Sequence, residues 1–233
     1  MATPERVASG VYRVDAIRFP NAISVLLVED GDGWTLFDTG VGSSAGRIRE
    51  ALAALGGRPE DLRRVFLTHH HSDHIGGLPG VRAWAPDAEL VASEREAEVV
   101  SGRRGPDPPS NALLRYASRY QKLPTAQIDS VAREGEVVAG FRVVLTPGHT
   151  LGHASLLRDE DGLLFVGDAF GVLLRRIRVG VYKAPCTDPP LAKHSAEKLL
   201  AEEFGTVAMT HGKPLYVDAR RHLREAVARC DYA

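Results

Sequence analysis

The sequence predicts an α/β chain folded as a layered sandwich, with two sheets inside and helices outside. Two observations carry this expectation. A strand-turn-strand pattern occurs twice, as SVLLVEDGDGWTLFDTG at residues 24–40 and SLLRDEDGLLFVGDAFG at residues 155–171. Each copy runs from Ser through an apolar strand and an acidic-Gly turn to a second strand that ends in Asp, Asp38 in one and Asp168 in the other. Helical periodicity appears in both halves as well. Together these suggest two similar β-rich halves placed back to back.

In the first copy an Asp-Gly turn between apolar strands signals a hairpin. The stretch SSAGRIREALAALGG then places Ala45, Ile48, Ala51, Leu52 and Leu55 on one helical face, with Ser before and Gly after as boundaries. RRVFLT reads as a short buried strand that delivers the run HHHSDH at its end. Residues 94–133 are less regular: a helical piece, the loop GRRGPDPPSN and a second helical piece, ALLRYASRYQKL. Such an insertion is either a lid or substrate-facing surface, or a helix pair decorating the exterior. Towards the C-terminus, PPLAKHSAEKLLAEEF predicts an amphipathic helix, TVAMTH a strand ending in His211, and VDARRHLREAVARC a closing helix. No linker divides the chain, so residues 1–233 are expected to form a single domain.

Composition narrows the function. Hydrophobic residues make up 44% and charged residues 25%, ordinary for a globular protein, and the net charge of −1 gives no reason to expect nucleic acid or an anionic membrane as partner. MATPERVASG lacks the apolar core of an export signal, and no run approaches the roughly 18 apolar residues of a membrane span. A cytoplasmic protein is expected, with Cys186 and Cys230 as reduced thiols.

The run at residues 69–74 carries the chemistry. His69 and His71 are two apart and project to one side, while Asp73 and His74 aim at a second point nearby. His149, Asp168 and His211 sit at strand ends in Gly-flanked loops, where backbones approach closely. His69, His71 and His149 make one nitrogen-rich metal site, Asp73, His74 and His211 a second, and Asp168 is the natural bridge. Imidazole with carboxylate suits zinc, with iron or manganese as alternatives, and three protein ligands plus bridging groups leave room for solvent. His70 is expected to face away or to orient a neighbour. His153 and Asp38 are candidates to support ligands by hydrogen bonding; for Asp38 a turn or helix-capping role is the alternative. His194 and His222 read as ordinary surface or core histidines.

These stretches, in the order DTG at Asp38, HHHSDH, His149, Asp168 and His211, resemble those of the metallo-β-lactamase-fold hydrolase superfamily over nearly the whole chain. The resemblance implies a four-layer αββα sandwich with a dinuclear metal site at one edge of the two sheets. It also implies a metal-activated hydroxide attacking a carbonyl or phosphoryl centre, with Asp73 orienting the nucleophile and carrying its proton to the leaving atom. A homodimer is a habit of many relatives, and the oligomeric state is left open.

Departures from the relatives' patterns sort the substrates. Exported β-lactamases of one subclass use a Cys among the second-site ligands, and here no Cys lies near a motif. Quorum-quenching lactonases often carry Tyr three residues after the bridging Asp, where this chain has Gly171, so a lactonase would need another donor such as Tyr116 or Tyr182. Persulfide dioxygenases bind one iron and add an Arg-Thr-Asp stretch that GDAFGVLLRR lacks. TPGHTLGH and GDAFG resemble the glyoxalase II-like group, which implies a small thioester or ester substrate; a lactonase or small-molecule phosphodiesterase is the alternative. Arg175, Arg176, Arg178 and Lys183 follow Asp168 and could receive an anionic tail of the substrate, although charges guarding a strand edge explain them equally.

Overall fold

The computed structural model describes residues 3–31 and 33–232. The chain forms two compact units, one of residues 1–104 with 123–132 and the other of residues 105–122 with 133–233.

The first unit is a seven-stranded sheet with helices. In chain order it contains β1 (Glu5–Ala8), β2 (Val11–Asp15), β3 (Ser24–Asp30), β4 (Gly33–Phe37), α1 (Ala45–Ala54), β5 (Leu62–Leu67), α2 (Ser72–Ile75), α3 (Leu78–Trp84), β6 (Glu89–Ser93), α4 (Glu94–Val100) and β7 (Ser130–Ala132). The strands lie in sequence order, β1 to β4 antiparallel and β4 to β7 parallel. The expected hairpin is β3–β4, with Asp30 opposite Gly33 and Gly31 left-handed at φ 63°; Asp32 of the predicted Asp-Gly turn lies outside the described residues. Four of the five predicted residues, Ala45, Ile48, Ala51 and Leu52, are the buried face of α1, and the fifth, Leu55, is the half-buried residue that ends it. They join Val25, Leu27, Leu36, Val65, Leu67 and Leu90 of the sheet in one core. Full burial of Ile48 and Leu52 contributes about 2–3 kcal/mol each and fixes α1 against the strands that end just before Asp38 and Thr68.

The second unit holds α5 (Ala112–Ser118), β8 (Val137–Val138), β9 (Phe141–Leu145), β10 (Ala154–Arg158), β11 (Leu163–Phe165), β12 (Phe170–Leu173), β13 (Arg176–Val179), α6 (Pro189–Ala201), β14 (Thr206–Ala208) and α7 (Ala219–Ala228). Its five-stranded sheet runs β14-β11-β10-β9-β8, and β12 and β13 form a separate hairpin. The second predicted strand-turn-strand unit is β10–β11, antiparallel with Arg158 opposite Leu163. Leu157, Leu164, Val166 and Val207 pack with Ala192, Ala196 and Leu199 of α6 and Leu223 and Val227 of α7. Pro189 opens α6 behind Asp188, whose side chain accepts from Leu191 N–H at 3.0 Å. Among the described residues no helix is long and apolar enough to cross a membrane.

Two local features bear on function. The segment at 94–133 does contain two helical pieces, α4 and α5, but they belong to different units, and the stretch read as irregular ends in β7. The turn of the β12–β13 hairpin is Leu174-Arg175, left-handed at φ 51° and 64°. A Cβ at such a position costs about 1–2 kcal/mol, so glycine, or asparagine with its short locally bonding side chain, normally takes it.

The loop between β9 and β10 is welded to the start of α6. Asp188 N–H donates to Gly148 O at 2.9 Å, Thr187 N–H to His149 O at 3.0 Å, and Ser195 Oγ–H to Pro147 O at 2.6 Å. Gly148 sits at φ 129°, and a Cβ there would overlap the Ala192 backbone. Gly148→Ala is therefore expected to destabilise the protein by about 3 kcal/mol or more, against a change within about 0.5 kcal/mol for Gly205→Ala, where a Cβ meets open space. Urea denaturation of the two variants measures the difference.

Candidate metal centre

In the first unit, β4 and β5 run parallel and end side by side, Phe37 opposite Phe66. The residues that follow, Asp38 and Thr68, become neighbours by that register. Asp38 is fully buried and left-handed at φ 62°. Its Oδ1 accepts from Thr68 N–H at 2.8 Å, and its Oδ2 accepts from the Thr68 hydroxyl and from His74 Nδ1–H, each at 2.8 Å. Three donors compensate the buried carboxylate. The arrangement also sets a tautomer: His74 carries its proton on Nδ1, so Nε2 keeps a lone pair. Thr68 Oγ1, having donated to Asp38, is left to accept from His69 Nδ1 at 3.1 Å, which prepares His69 Nε2 in the same way.

His71 is the residue before α2, and Asp73 lies in that helix's first turn, half-buried. His69 Nε2 and His71 Nδ1 stand 3.1 Å apart. Two ring nitrogens that close share a proton or a cation, and a tetrahedral ion with ~2.0 Å bonds to nitrogen places its donors about 3.3 Å apart. The donor set of this unit thus fits a divalent metal. His70 turns elsewhere: its Nδ1–H donates to Glu96 Oε2 at 2.7 Å, both side chains buried, which ties the His run to α4.

The second unit brings together His149, Asp168 and His211. One oxygen of Asp168, Oδ2, lies 3.3 Å from His149 Nε2, and the other, Oδ1, lies 3.4 Å from His211 Nε2. The carboxylate therefore presents one oxygen to each histidine. His153 makes a different use of its ring. Its Nε2 accepts the Asp168 backbone N–H at 2.9 Å, so the proton is on Nδ1 and is donated to Thr146 Oγ1 at 2.8 Å. Thr146 then donates to Ser155 Oγ at 3.0 Å, and Ser155 to Val166 O at 3.2 Å. With both nitrogens engaged, His153 positions the Asp168 backbone.

One neighbour escaped the sequence reading. Cys186 is buried, its Sγ 3.8 Å from His149 Nδ1, with carbonyl acceptors at Tyr182 (3.3 Å) and Gly180 (3.6 Å). No motif or spacing marks it, because it stands 37 residues beyond His149. Burial first, then the negative charge of Asp168, pushes its thiol up to about 12. Gly171 lies in β12 against His211; a Cβ there would come within 2.8 Å of Val181 Cγ2 and 3.2 Å of His211 Cβ. Val181 is itself left-handed at φ 62°, a strained conformation for a β-branched residue.

The cations after Asp168 take separate places. Arg175 is in the hairpin turn, and Lys183 Nζ lies 5.6 Å over the Tyr232 ring. Arg176 and Arg178 line a cleft beside the C-terminal residues, in which none of His149, Asp168 and His211 takes part. Of the alternative donors, Tyr116 is paired with the Tyr120 hydroxyl at 3.3 Å, and Tyr182 is 39% exposed.

Residues 18–211 match the metallo-beta-lactamase superfamily, and the chain belongs to that family. It is a metallo-hydrolase of the superfamily, with grouped His and Asp side chains that fit divalent metals. It is similar to the YobT protein of Bacillus subtilis, 28% identical over 216 residues, which cover 89% of this chain and 90% of that one. A hydroxyacylglutathione hydrolase of Rhodopseudomonas palustris is 31% identical over 158 residues, 66% of this chain but 53% of the relative, so the chain spans about half the length of that enzyme. Among solved structures, a metallo-beta-lactamase from Cronobacter sakazakii superposes with a TM-score of 0.74 over 98% of this chain and 91% of that one, at 24% identity, which establishes the fold alone.

Two outcomes are expected. Asp38→Asn removes the negative charge that orients His74 and should weaken zinc affinity about 10–100-fold, measured by competition with a chelator. Cys186, buried and with its thiol pushed up by burial and by the Asp168 charge, should resist alkylation between pH 7 and 9 and react only at the rate of unfolding, as peptide mapping of labelled protein would reveal.

Proposed function

We propose that the chain hydrolyses a small thioester or ester with two divalent metal ions, zinc in the first instance. His69, His71 and His149 would hold one ion, and Asp73, His74 and His211 the other, with Asp168 bridging. The observation that carries the dinuclear reading is the two-faced Asp168 carboxylate, which presents one oxygen to His149 and the other to His211. A mononuclear iron site has no need of that arrangement.

Bound there, the ions would supply Lewis acidity and make water a nucleophile at neutral pH. The chain's own residues do the rest. Asp38 keeps His74 Nε2 unprotonated, and His153 holds the Asp168 backbone in place. Asp73 Oδ is the proton carrier, taking the proton of the attacking water and passing it to the leaving sulfur or oxygen.

The likeness to hydroxyacylglutathione hydrolases supports a thioester substrate, and the crowding at Gly171 argues against a lactonase tyrosine at that position. Residues 105–122 are the proposed substrate-facing part of the 94–133 insertion within a single metallo-β-lactamase-fold domain. They are fastened beside the His149 loop: Leu151 N–H donates to Asp107 Oδ2 at 2.7 Å, and Ser110 N–H to Cys186 O at 2.8 Å. From that anchorage α5 exposes Leu113 (75%) and Tyr116 (57%), with Tyr120 (72%) just beyond it, an apolar face suited to an acyl group. The protein is proposed to act in the cytoplasm on a small, anionic substrate.

Initial rates of the zinc-loaded protein on an S-acyl thioester and an activated phosphodiester, with His71→Ala as control, test the reading. Metal-dependent preference for the thioester is expected, along with two metals per chain. Preference for the phosphodiester would replace it with a phosphodiesterase, and one iron per chain would point to oxygen chemistry. Asp73→Asn should lower kcat about 100-fold or more; full activity with both metals retained would remove Asp73 from proton transfer.

A further inference from the structure

We propose that the second unit carries a separate binding site for a phosphate-bearing small molecule, in the cleft between β13 and residues 229–232. The cleft holds about 330 Å³ and is lined by Arg176, Arg178 and Arg229 together with Ala226 and Tyr232. That volume lies at the lower end of the ~300–1,000 Å³ typical of small-molecule sites.

The charge arrangement calls for an anion. Arg176 and Arg178 are two apart on one strand and so share a side. Both are exposed, and neither makes an ion pair or side-chain hydrogen bond among the described residues. Arg229 has only a loose contact, 3.5 Å, with Glu225. Among the described residues, Asp231 is the one carboxylate that lines the cleft with the three arginines. A neighbouring cavity shares Arg176, Ile177 and Arg229 and adds Arg175 and His222, so the cationic surface continues around the hairpin.

Edge protection does not account for this. At its Val179 end β13 is already met by Tyr232, whose hydroxyl donates to Val179 O at 2.9 Å. Three arginines lining one cleft offer donors that match the many acceptor oxygens of a phosphate dianion better than a lone carboxylate. Ala226 and Tyr232 in the lining accommodate the carbon portion of an organic phosphate. β13 continues into Gly180, whose N–H donates to Ala169 O at 2.8 Å, next to Asp168. An occupant would therefore rest on the strand that leads to the metal ligands. The proposal does not depend on which bond the protein hydrolyses.

Calorimetric titration of the full chain with adenosine monophosphate, inorganic phosphate and acetate tests it, alongside the rate at which iodoacetamide alkylates Cys230 in the cleft wall. Adenosine monophosphate should bind one per chain and slow Cys230 labelling. Affinity should fall about tenfold or more in Arg176→Gln/Arg178→Gln and stay unchanged in Arg49→Gln, an exposed arginine of the first unit. Tighter binding of the nucleotide than of phosphate identifies an organic phosphate; equal binding identifies the phosphate group alone. Binding that survives the double substitution, as it would at the metal ligands, overturns the proposal. So does unaltered Cys230 labelling, an equal response to acetate, or no binding at millimolar concentration.

Discussion

A carboxylate removed from water is tolerable only when donors surround it, and Asp38 shows how much structure that condition organises. Its three hydrogen bonds come from the backbone and hydroxyl of Thr68 and from His74. They require β4 and β5 to be parallel, in one register, and to end together. They require the chain to turn left-handed immediately after β4. Taking away one partner of such a buried pair typically costs about 3–5 kcal/mol, so the registry of the strands and the protonation of His74 are enforced by the same interaction. Thr68 extends the effect to His69, which makes two imidazoles dependent on one acid.

The second unit reaches the same end with neutral groups. His153, Thr146 and Ser155 form a relay of hydrogen bonds that begins at the Asp168 amide and finishes on the Val166 carbonyl. Every member can donate in only one direction once His153 Nε2 has accepted. The relay is thereby a fixed chain that spans the loop between β11 and β12. The carboxylate of Asp168 is left for other partners because its backbone is secured independently. In this unit the charge sits on Asp168, and the relay that supports it is uncharged.

Much of this was legible in the residues. The apolar faces of α1, α6 and α7 repeat at helical spacing, and the two hairpins announce themselves by apolar strands around acidic-Gly turns. The run at 69–74 is recognisable because no other role brings so many imidazoles together. What stayed hidden depends on tertiary neighbours. The β12–β13 turn uses Leu174 and Arg175 where a turn signal would be Asn or Gly, so local propensity has nothing to report. β7 is three residues long and owes its strand state to pairing with β6. Cys186 reaches His149 only through the fold, and the assignment of residues 105–122 to the second unit follows from contacts with residues 151 and 183–186 that no local pattern encodes.

Gly171 and Val181 constrain each other in a way that reaches beyond the present protein. A side chain at 171 must displace Val181, which already holds a left-handed backbone that suits glycine. Enlarging 171 alone meets a clash, whereas shrinking 181 to glycine first relaxes the strain and opens the space. The order of substitutions therefore matters: a descendant acquiring a bulky group beside His211 meets the tightest contact at position 181, and an engineer placing one there would do well to change 181 first.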